Sequence, residues 1–188
     1  MDKKKALIIN ASPHPSGSTA AVLGTLENRL TREYEIERVN LGARSIMPCT
    51  GCARCRPDGK CVLPRDEATD LGEKIAAADL IAVGTPCYWG NIPSTLKAVF
   101  DRNVTTFEHF LKGSPTPKLR GKKAIVLVTA GSSFPFSRLE SQAGGTIRAI
   151  RTPLESGGIR ILGTRVFSSA WKLDPAKAER SIARIRMR

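Results

Sequence analysis

Short apolar runs alternate along this chain with segments in which apolar residues recur every three or four positions. A continuous apolar run of four to eight residues is typical of a strand that is buried on both faces of a sheet. The runs predict five strands, at 6–9, 34–41, 80–83, 124–128 and from 159–162 onwards. The second strand is the least regular: it is predicted from alternating apolar and polar residues, and Arg38 interrupts that alternation.

The segments between the strands predict helices. Helices are expected at 22–30, at 66–78, from Ser94 onwards, within 138–154 and after Asp174. Ser94 and Asp174 are predicted to cap their helices, because a side-chain oxygen at the cap position accepts hydrogen bonds from the first N–H groups. The prediction of a helix within 138–154 is weaker, because this segment contains two consecutive glycines and a proline.

Strands that alternate with helices predict a parallel sheet, because parallel neighbours need a crossover connection. The expected fold class is α/β, a doubly wound parallel five-stranded sheet with helices on both faces. No repeat or linker divides the chain, so residues 1–188 are expected to form a single domain. Ligands bind such sheets beyond the carboxyl ends of the strands. The loops 11–18, 42–64, 86–93 and 131–136 should therefore meet at one edge.

Composition and charge narrow the function classes. The chain has 41% hydrophobic and 25% charged residues and a formal net charge of +13. No apolar stretch approaches the about 18 residues of a membrane span, so no membrane role is expected. The basic segments 111–123 and 171–188 do not alternate with aromatic residues, which disfavours nucleic-acid binding. The start of the chain lacks the apolar region of a secretory signal, so we expect a cytoplasmic protein.

The first loop predicts an anion site. It presents hydroxyl and N–H groups at the start of a helix, where anions are favoured. The candidate residues are Ser12, His14, Ser16, Gly17, Ser18 and Thr19. The loop lacks both the lysine of a triphosphate-binding loop and the three-glycine pattern of a dinucleotide fold. Phosphate is the expected ligand; the alternative is an ordinary turn with serine caps.

The third loop predicts a site for a planar ring. Two of the four Trp and Tyr residues of the chain lie here beside a glycine, which suggests contact with a flat ligand. The candidate residues are Pro86, Cys87, Tyr88, Trp89, Gly90 and Asn91. The alternative is local packing of the two aromatic side chains, and Cys87 is expected to be a packing residue. A phosphate loop and a ring loop together indicate a mononucleotide.

The second loop carries four cysteines, Cys49, Cys52, Cys55 and Cys61, in the pattern C-x2-C-x2-C-x5-C. Cysteines in a cytoplasmic chain more often bind metals or take part in redox chemistry than form disulfides. Four thiolates suit an iron–sulfur cluster or zinc. Zinc sites usually take two cysteine pairs from separate turns, so this spacing favours a cluster. Zinc and free thiols remain open alternatives.

These loops carry a family resemblance. Ser12-Pro13 with Gly17-Ser18-Thr19, followed by 86–93 and by Asp101-Arg102, resembles the flavodoxin-like NAD(P)H-dependent FMN reductase family over residues 5–135. The resemblance implies the strand order 2-1-3-4-5. It also implies FMN, with its phosphate on the loop Ser12 to Thr19 and its ring against Pro86 to Asn91. The ring would be flanked on its other side by Thr129, Ala130, Gly131 and Ser132.

One position departs from the family pattern, and two further positions are left out of the site. Members often have arginine where this chain has His14, which is either a weaker phosphate contact or a spectator. Asp101 and Arg102 are expected to stabilise their helix and are left out of the site.

The cysteine run resembles that of the iron–sulfur flavoproteins, a branch of the same family. That resemblance implies a [4Fe–4S] cluster that exchanges electrons with FMN, a homo-oligomer (dimer or tetramer) and a ferredoxin-like acidic electron carrier, with NAD(P)H as another donor. The basic surface would steer an acidic carrier towards the protein. The alternative functions are a cluster-free NAD(P)H-dependent FMN or quinone reductase and a thiol redox sensor.

Overall fold

The computed structural model describes residues 3–42, 44–111 and 114–187. Its strands, in chain order, are β1 (Lys4–Asn10), β2 (Tyr34–Asn40), β3 (Leu80–Pro86), β4 (Glu108–Leu111), β5 (Ser114–Pro117), β6 (Lys123–Thr129) and β7 (Arg160–Phe167). Five of them form one sheet in the order β2-β1-β3-β6-β7, and every neighbouring pair is parallel. The order 2-1-3-4-5 expected for the five predicted strands is therefore confirmed.

The helices of the described residues are α1 (Ser18–Leu30), α2 (Cys55–Asp58), α3 (Glu67–Ala77), α4 (Ser94–Arg102), α5 (Val104–Phe107), α6 (Gly145–Ser156) and α7 (Pro175–Ala183). Short 3-10 turns lie at Phe136–Arg138 and Ala170–Lys172, and a π turn lies at Glu140–Gly144. None of these helices is long and apolar enough to cross a membrane.

The sheet buries both of its faces, which confirms the doubly wound arrangement. On one face, strand residues such as Ile9 and Val83 pack with apolar residues of α3, α4 and α6. On the other face, strand residues such as Ile8 and Ala82 pack with apolar residues of α1 and α7. The strands β1, β3 and β6 lie inside the sheet, and their buried apolar runs exclude water on both sides.

The helix boundaries follow the predicted signals with one correction. Asp174 caps α7, since its carboxylate accepts the N–H groups of Ala176 and Lys177 at 2.9 and 3.2 Å. The predicted cap at Ser94 is wrong by one position: Ser94 is the first helical residue and Pro93 occupies the cap position. The helix within 138–154 begins only at Gly145, because the preceding residues form the π turn.

The antiparallel pair β4 and β5 was not predicted from the sequence. The sequence shows only a basic segment at 111–123, whose charges are expected to be solvated, and residues 112 and 113 of that segment lie outside the described residues. The hairpin has no alternation of apolar and polar residues, and two prolines interrupt β5. Such a short polar pair leaves no periodic signal.

Candidate functional site

Hydrogen bonds tie together the loops that follow β1, β3 and β6. The Thr19 and Thr129 hydroxyls lie 2.7 Å apart, and both residues are buried. The Cys87 N–H donates to the Thr129 carbonyl at 2.8 Å, and the Ala11 N–H donates to the Gly84 carbonyl at 2.8 Å. The three predicted ligand loops therefore meet at one edge of the sheet in a fixed arrangement.

The first loop is shaped by its own side chains. The Asn10 amide oxygen accepts the Ser12 N–H at 3.1 Å, and the Ser12 hydroxyl accepts the His14 N–H at 3.1 Å. Gly17 occupies the cap position of α1 without any side-chain cap. The first N–H groups of a helix have no acceptor within the helix, so those of α1 remain for a ligand. The alternative of serine caps does not hold here.

Two predicted phosphate contacts have their hydroxyls engaged elsewhere. The Ser18 hydroxyl donates to the Ala170 carbonyl at 2.6 Å, and the Thr19 hydroxyl is bonded to that of Thr129. Ser12 is buried, whereas His14 and Ser16 are exposed. Ser18 and Thr19 therefore offer main-chain N–H groups to an anion, while Ser16 and His14 offer side chains at the rim.

The third loop forms a tight turn. Tyr88 and Asn91 exchange two main-chain hydrogen bonds of 2.9 Å each, and Trp89 and Gly90 between them have φ angles of 52° and 72°. The Trp89 side chain is fully exposed. A Cβ atom on Gly90 would lie 2.7 Å from the Ser141 carbonyl oxygen, so the turn packs tightly against the π turn.

The other residues of this loop hold the turn in place. Pro86 ends β3 and its carbonyl accepts the Thr85 hydroxyl at 2.9 Å. Cys87 is partly buried and packs against the core, as expected of a packing residue. The Asn91 carbonyl accepts the Thr146 hydroxyl at 3.2 Å, which ties the turn to α6.

The fourth loop lies beside the same edge. Thr129 and Ala130 are buried, and the Ala130 N–H and carbonyl are bonded to Phe167 and Ala170. Gly131 is exposed, and the Ser132 hydroxyl lies 3.1 Å from the Gln142 side-chain oxygen. Exposed apolar side chains follow at Phe134, Phe136 and Leu139. Gly131 is thus accessible at the edge, whereas the side chain of Ser132 is bonded to Gln142 and Ala130 is held by hydrogen bonds within the fold.

The four predicted ligand cysteines line one small cavity of about 20 Å³. Cys49 and Cys52 are exposed, Cys55 and Cys61 are half-buried, and none forms a disulfide. Hydrogen bonds from the Arg54 N–H and the Thr50 side chain lower the pKa of the Cys52 thiol. Burial, followed by the neighbouring thiols, raises the pKa of the Cys55 thiol. The second loop therefore brings together the thiols that the spacing singled out.

The fit of a metal centre to this cavity is incomplete. Four thiols are a suitable donor set for an iron–sulfur cluster or zinc. Yet within the described ranges no three His, Cys, Asp or Glu side chains are already grouped to hold a metal ion. A cavity of about 20 Å³ has room for roughly one water molecule. The donor chemistry fits, but the loop has to open to admit a cluster.

Arg102 was assigned to helix stability, and the structure corrects that role. Asp101 does serve its helix, since it pairs with Lys97 at 2.5 Å. The Arg102 side chain is only 1% exposed and points into residues 47–66, here called the cysteine loop, where it bonds to Asp66 and Cys61. A sequence signal was present: Arg102 follows the buried Val99 by three positions, on the apolar side of α4.

Burial and hydrogen bonding act in opposite directions on the pKa values of Asp66 and Arg102. Burial alone raises the pKa of Asp66, but hydrogen bonds from Arg102 and the Met47 N–H outweigh it and lower that pKa. Burial likewise lowers the pKa of Arg102, but hydrogen bonds to Cys61 and Asp66 outweigh it and raise that pKa. Both groups are therefore held in their charged forms.

Comparison with known proteins now identifies the family. A family model described as a flavodoxin-like fold matches residues 4–188. The chain belongs to this flavodoxin-like family. The family predicted from the two loops and the sheet is thereby confirmed. In flavodoxin-like sheets the ligand edge lies at the β1/β3 switch point, where here the Ala11 N–H after β1 donates to the Gly84 carbonyl of β3.

Individual relatives match parts of this flavodoxin-like chain. An iron–sulfur flavoprotein from Methanosarcina thermophila is 37% identical over 97 residues, which is 51% of this chain and 50% of the relative. An FMN-dependent NADH:quinone oxidoreductase from Hydrogenovibrio crunogenus is 41% identical over 76 residues, 39% of this chain and 38% of the relative. The alignments therefore span half or less of the length of these curated relatives.

A solved structure matches nearly the whole fold. The NAD(P)H:quinone oxidoreductase from Methanothermobacter marburgensis superposes with a TM-score of 0.74 at 18% identity, over 98% of this chain and 100% of that one. At this identity the match shows that the two chains share the flavodoxin-like fold.

Proposed function

We propose that the protein binds FMN at the edge formed by the first, third and fourth loops and acts as an FMN-dependent oxidoreductase. The observation that carries the proposal is the Thr19–Thr129 hydrogen bond, which holds an uncapped helix start beside the exposed ring loop. An anion-binding helix start and a rigid aromatic turn at one edge suit a ligand with a phosphate at one end and a flat ring at the other.

The phosphate would be held mainly by the main chain. The N–H groups of Ser18 and Thr19 and the hydroxyls of Ser12 and Ser16 are the proposed donors, while Gly17, whose N–H donates to the His14 carbonyl at 3.4 Å, shapes the turn that presents them. His14, exposed at the rim, occupies the position where an arginine would contact the phosphate directly. Backbone donors at a helix start bind anions without any charged side chain, so the missing arginine weakens the site without abolishing it.

The ring would lie against the Tyr88–Asn91 turn, with Trp89 as an exposed aromatic surface and with Gly131 and Ser132 on its other side. Pro86, Cys87, Thr129 and Ala130 shape the wall behind it. FMN supplies the redox chemistry in such proteins, accepting electrons as a pair or singly. The side chains named here position the ring and exclude water from it, and no protein acid or base is assigned.

Flavin binding gives the direct test. Protein produced with ample riboflavin should be yellow, and apoprotein should quench FMN fluorescence on titration. Reduction of the bound flavin by NADH or NADPH, followed by absorbance, tests the oxidoreductase step. A colourless protein that also fails to quench added FMN would rule out the proposed site.

We propose further that Cys49, Cys52, Cys55 and Cys61 hold a [4Fe–4S] cluster that exchanges electrons with FMN in a homo-oligomer, with a ferredoxin-like acidic carrier as donor or acceptor. Their position around one cavity and the similarity to a protein named iron–sulfur flavoprotein support this. Anaerobic purification followed by iron, sulfide and zinc analysis distinguishes a cluster from zinc and from free thiols. Size-exclusion chromatography with light scattering reports the oligomeric state.

A cluster-free NAD(P)H-dependent FMN or quinone reductase is the second candidate. The similarity to an FMN-dependent NADH:quinone oxidoreductase favours it. Steady NAD(P)H oxidation by protein without iron would select this candidate over the relay. Flavin that no donor reduces, together with reversible thiol oxidation, would instead indicate a redox sensor.

A further inference from the structure

The guanidinium of Arg102 is a junction for the cysteine loop. It donates to the Asp66 carboxylate at 2.8 and 3.2 Å, to the Met47 carbonyl at 3.1 Å and to the Pro64 carbonyl at 3.3 Å. Its Nε–H donates to the Cys61 sulfur at 3.3 Å. All of these acceptors belong to residues 47–66. One buried side chain of α4 is therefore hydrogen-bonded to both ends of the cysteine loop and to one of its thiols.

Asp66 completes the junction from the other side. Its carboxylate accepts the Met47 N–H at 3.3 Å, while it also caps α3 through the N–H groups of Ala68 and Thr69. Met47 is therefore held through both its N–H and its carbonyl. Residues 47 and 66 are 19 positions apart in sequence, and the Arg102–Asp66 pair closes this segment into a ring.

The segment inside this ring has little other regular structure. Apart from the four residues of α2, it forms no helix or strand among its described residues. The hydrogen bonds of Gly51 and Gly59 are local, to the Cys49 sulfur at 3.4 Å and the Cys55 carbonyl at 2.8 Å. A loop of this kind loses its order easily unless a long-range contact holds it.

We propose that Arg102, together with Asp66, is a positioning residue that holds the cysteine loop closed around its four thiols before any metal is bound. The closed loop would bring Cys55 and Cys61 to their half-buried positions and leave Cys49 and Cys52 at the mouth of the cavity. That these thiols are ligands rests on the proposed function, but the closure itself is a property of the metal-free chain.

The geometry requires arginine rather than any cation. The planar guanidinium spreads its N–H groups over four acceptor residues at once, which the single ammonium of lysine cannot do. Because the pair is buried, removing one partner leaves the other charge without compensation. Arg102→Lys therefore keeps the positive charge but loses most of these hydrogen bonds, whereas Arg102→Met loses both the charge and the hydrogen bonds.

Thiol labelling of the reduced, metal-free protein tests the closure. Each cysteine is labelled with a maleimide and followed by mass spectrometry in the wild type and in Arg102→Met, Arg102→Lys and Asp66→Asn. Labelling of Cys55 and Cys61 should accelerate by about tenfold or more in both Arg102 variants and by less in Asp66→Asn, which retains an acceptor oxygen. Cys49 and Cys52 should change little, since they are already exposed.

Arg65→Gln is the matched control. Arg65 stands next to Asp66, but its bonds of 2.8 Å go to Glu73 on α3 and not to the loop. The cysteines of Arg65→Gln should be labelled at the wild-type rates. FMN binding and circular dichroism report folding away from the loop; if Arg102→Met does not fold, Arg102→Lys and Asp66→Asn carry the test. Wild-type labelling rates at Cys55 and Cys61 in the folded Arg102 variants would overturn the proposal, and wild-type rates in Arg102→Lys alone would overturn the requirement for arginine.

Reconstitution with iron and sulfide separates this inference from the proposed cluster. If the wild type takes up iron, the Arg102 variants should lose it faster than Arg65→Gln while still binding FMN. If the wild type takes up none, the proposed cluster is wrong, whereas the labelling result still decides whether Arg102 closes the loop.

Discussion

The hydroxyls of Thr19 and Thr129 lie 2.7 Å apart, although 110 positions separate them in sequence. Thr19 belongs to the first turn of α1 and Thr129 ends β6, and both side chains are buried. This bond fixes the helix start against the neighbouring strand end. The spacing between the proposed phosphate and ring positions therefore depends on it.

Removing either hydroxyl should lower both the stability and the affinity for FMN, and Thr129→Val should have the larger effect. In Thr129→Val the buried Thr19 hydroxyl loses its hydrogen bond, which costs about 1–3 kcal/mol. In Thr19→Val the Thr129 hydroxyl keeps a weak bond to the Thr85 carbonyl at 3.4 Å, so the loss should be smaller. Urea unfolding and FMN titration measure both effects.

Thr25→Val is the control for this pair. The Thr25 hydroxyl donates to the Ala21 carbonyl of its own helix at 3.2 Å, and Thr25 is not among the residues that form the proposed FMN site. Its replacement should leave FMN affinity unchanged. Equal FMN affinity in Thr129→Val and Thr25→Val would show that the bond does not shape the site.

Gly90→Ala should disturb the ring loop. At its φ of 72° a side chain is strained by about 1–3 kcal/mol. The new Cβ would also lie 2.7 Å from the Ser141 carbonyl oxygen. We expect a lower melting temperature and weaker FMN binding. Gly24→Ala should instead stabilise by up to about 1 kcal/mol, because this site lies in α1 and the new Cβ would crowd none of the described residues outside its own helical turn. Similar melting temperatures in the two variants would contradict the steric argument.

His14→Arg should tighten FMN binding. The exposed imidazole stands where a guanidinium could form charge-assisted hydrogen bonds to a phosphate. We expect a gain of roughly threefold to tenfold at low salt that shrinks as ionic strength rises. His14→Ala distinguishes the two interpretations of this residue: weaker binding indicates a contact, and unchanged binding indicates a spectator. No gain in His14→Arg at low salt would argue against a phosphate in this loop.

Cys52→Ala should separate the two proposed cofactors. If the thiols hold a [4Fe–4S] cluster, this variant loses the brown absorbance at about 400 nm but keeps its flavin, because the cavity that Cys52 lines contains none of the residues proposed to hold FMN. Cys87→Ala, which removes a cysteine that does not line this cavity, should keep the wild-type iron content and brown absorbance. Wild-type iron content in Cys52→Ala would remove this cysteine from the ligand set.

Acid should weaken the Arg102–Asp66 pair. Because the folded protein lowers the pKa of Asp66, the carboxylate stabilises the fold fully above its ordinary pKa of about 4. This contribution is lost as the pH falls through the lower folded value. The difference in unfolding free energy between wild type and Asp66→Asn should therefore be largest near neutral pH and shrink in acid. Urea unfolding from pH 7 to pH 3 measures it, and a constant difference would show that this titration does not contribute.

The buried strands could be predicted because each is a continuous apolar run, as in Ala124–Val128 of β6. The two ligand loops could be predicted because hydroxyl, glycine and aromatic residues follow those runs directly. The hairpin of β4 and β5 escaped prediction, since its residues carry no periodic pattern. The role of Arg102 escaped as well, because an arginine at the end of a helix is ordinarily solvated.

The chain's own order of residues determined the strand order, the edge where loops converge and the thiols that share a cavity, since these follow from local patterns and from the geometry of parallel sheets. Only the folded molecule decided which polar groups are already engaged. The Ser18 hydroxyl is bonded to the Ala170 carbonyl, and the Arg102 guanidinium is bonded to the cysteine loop. Those partners are 152 and 41 positions away, and a local pattern can indicate that a side chain is buried but not which distant group it bonds to.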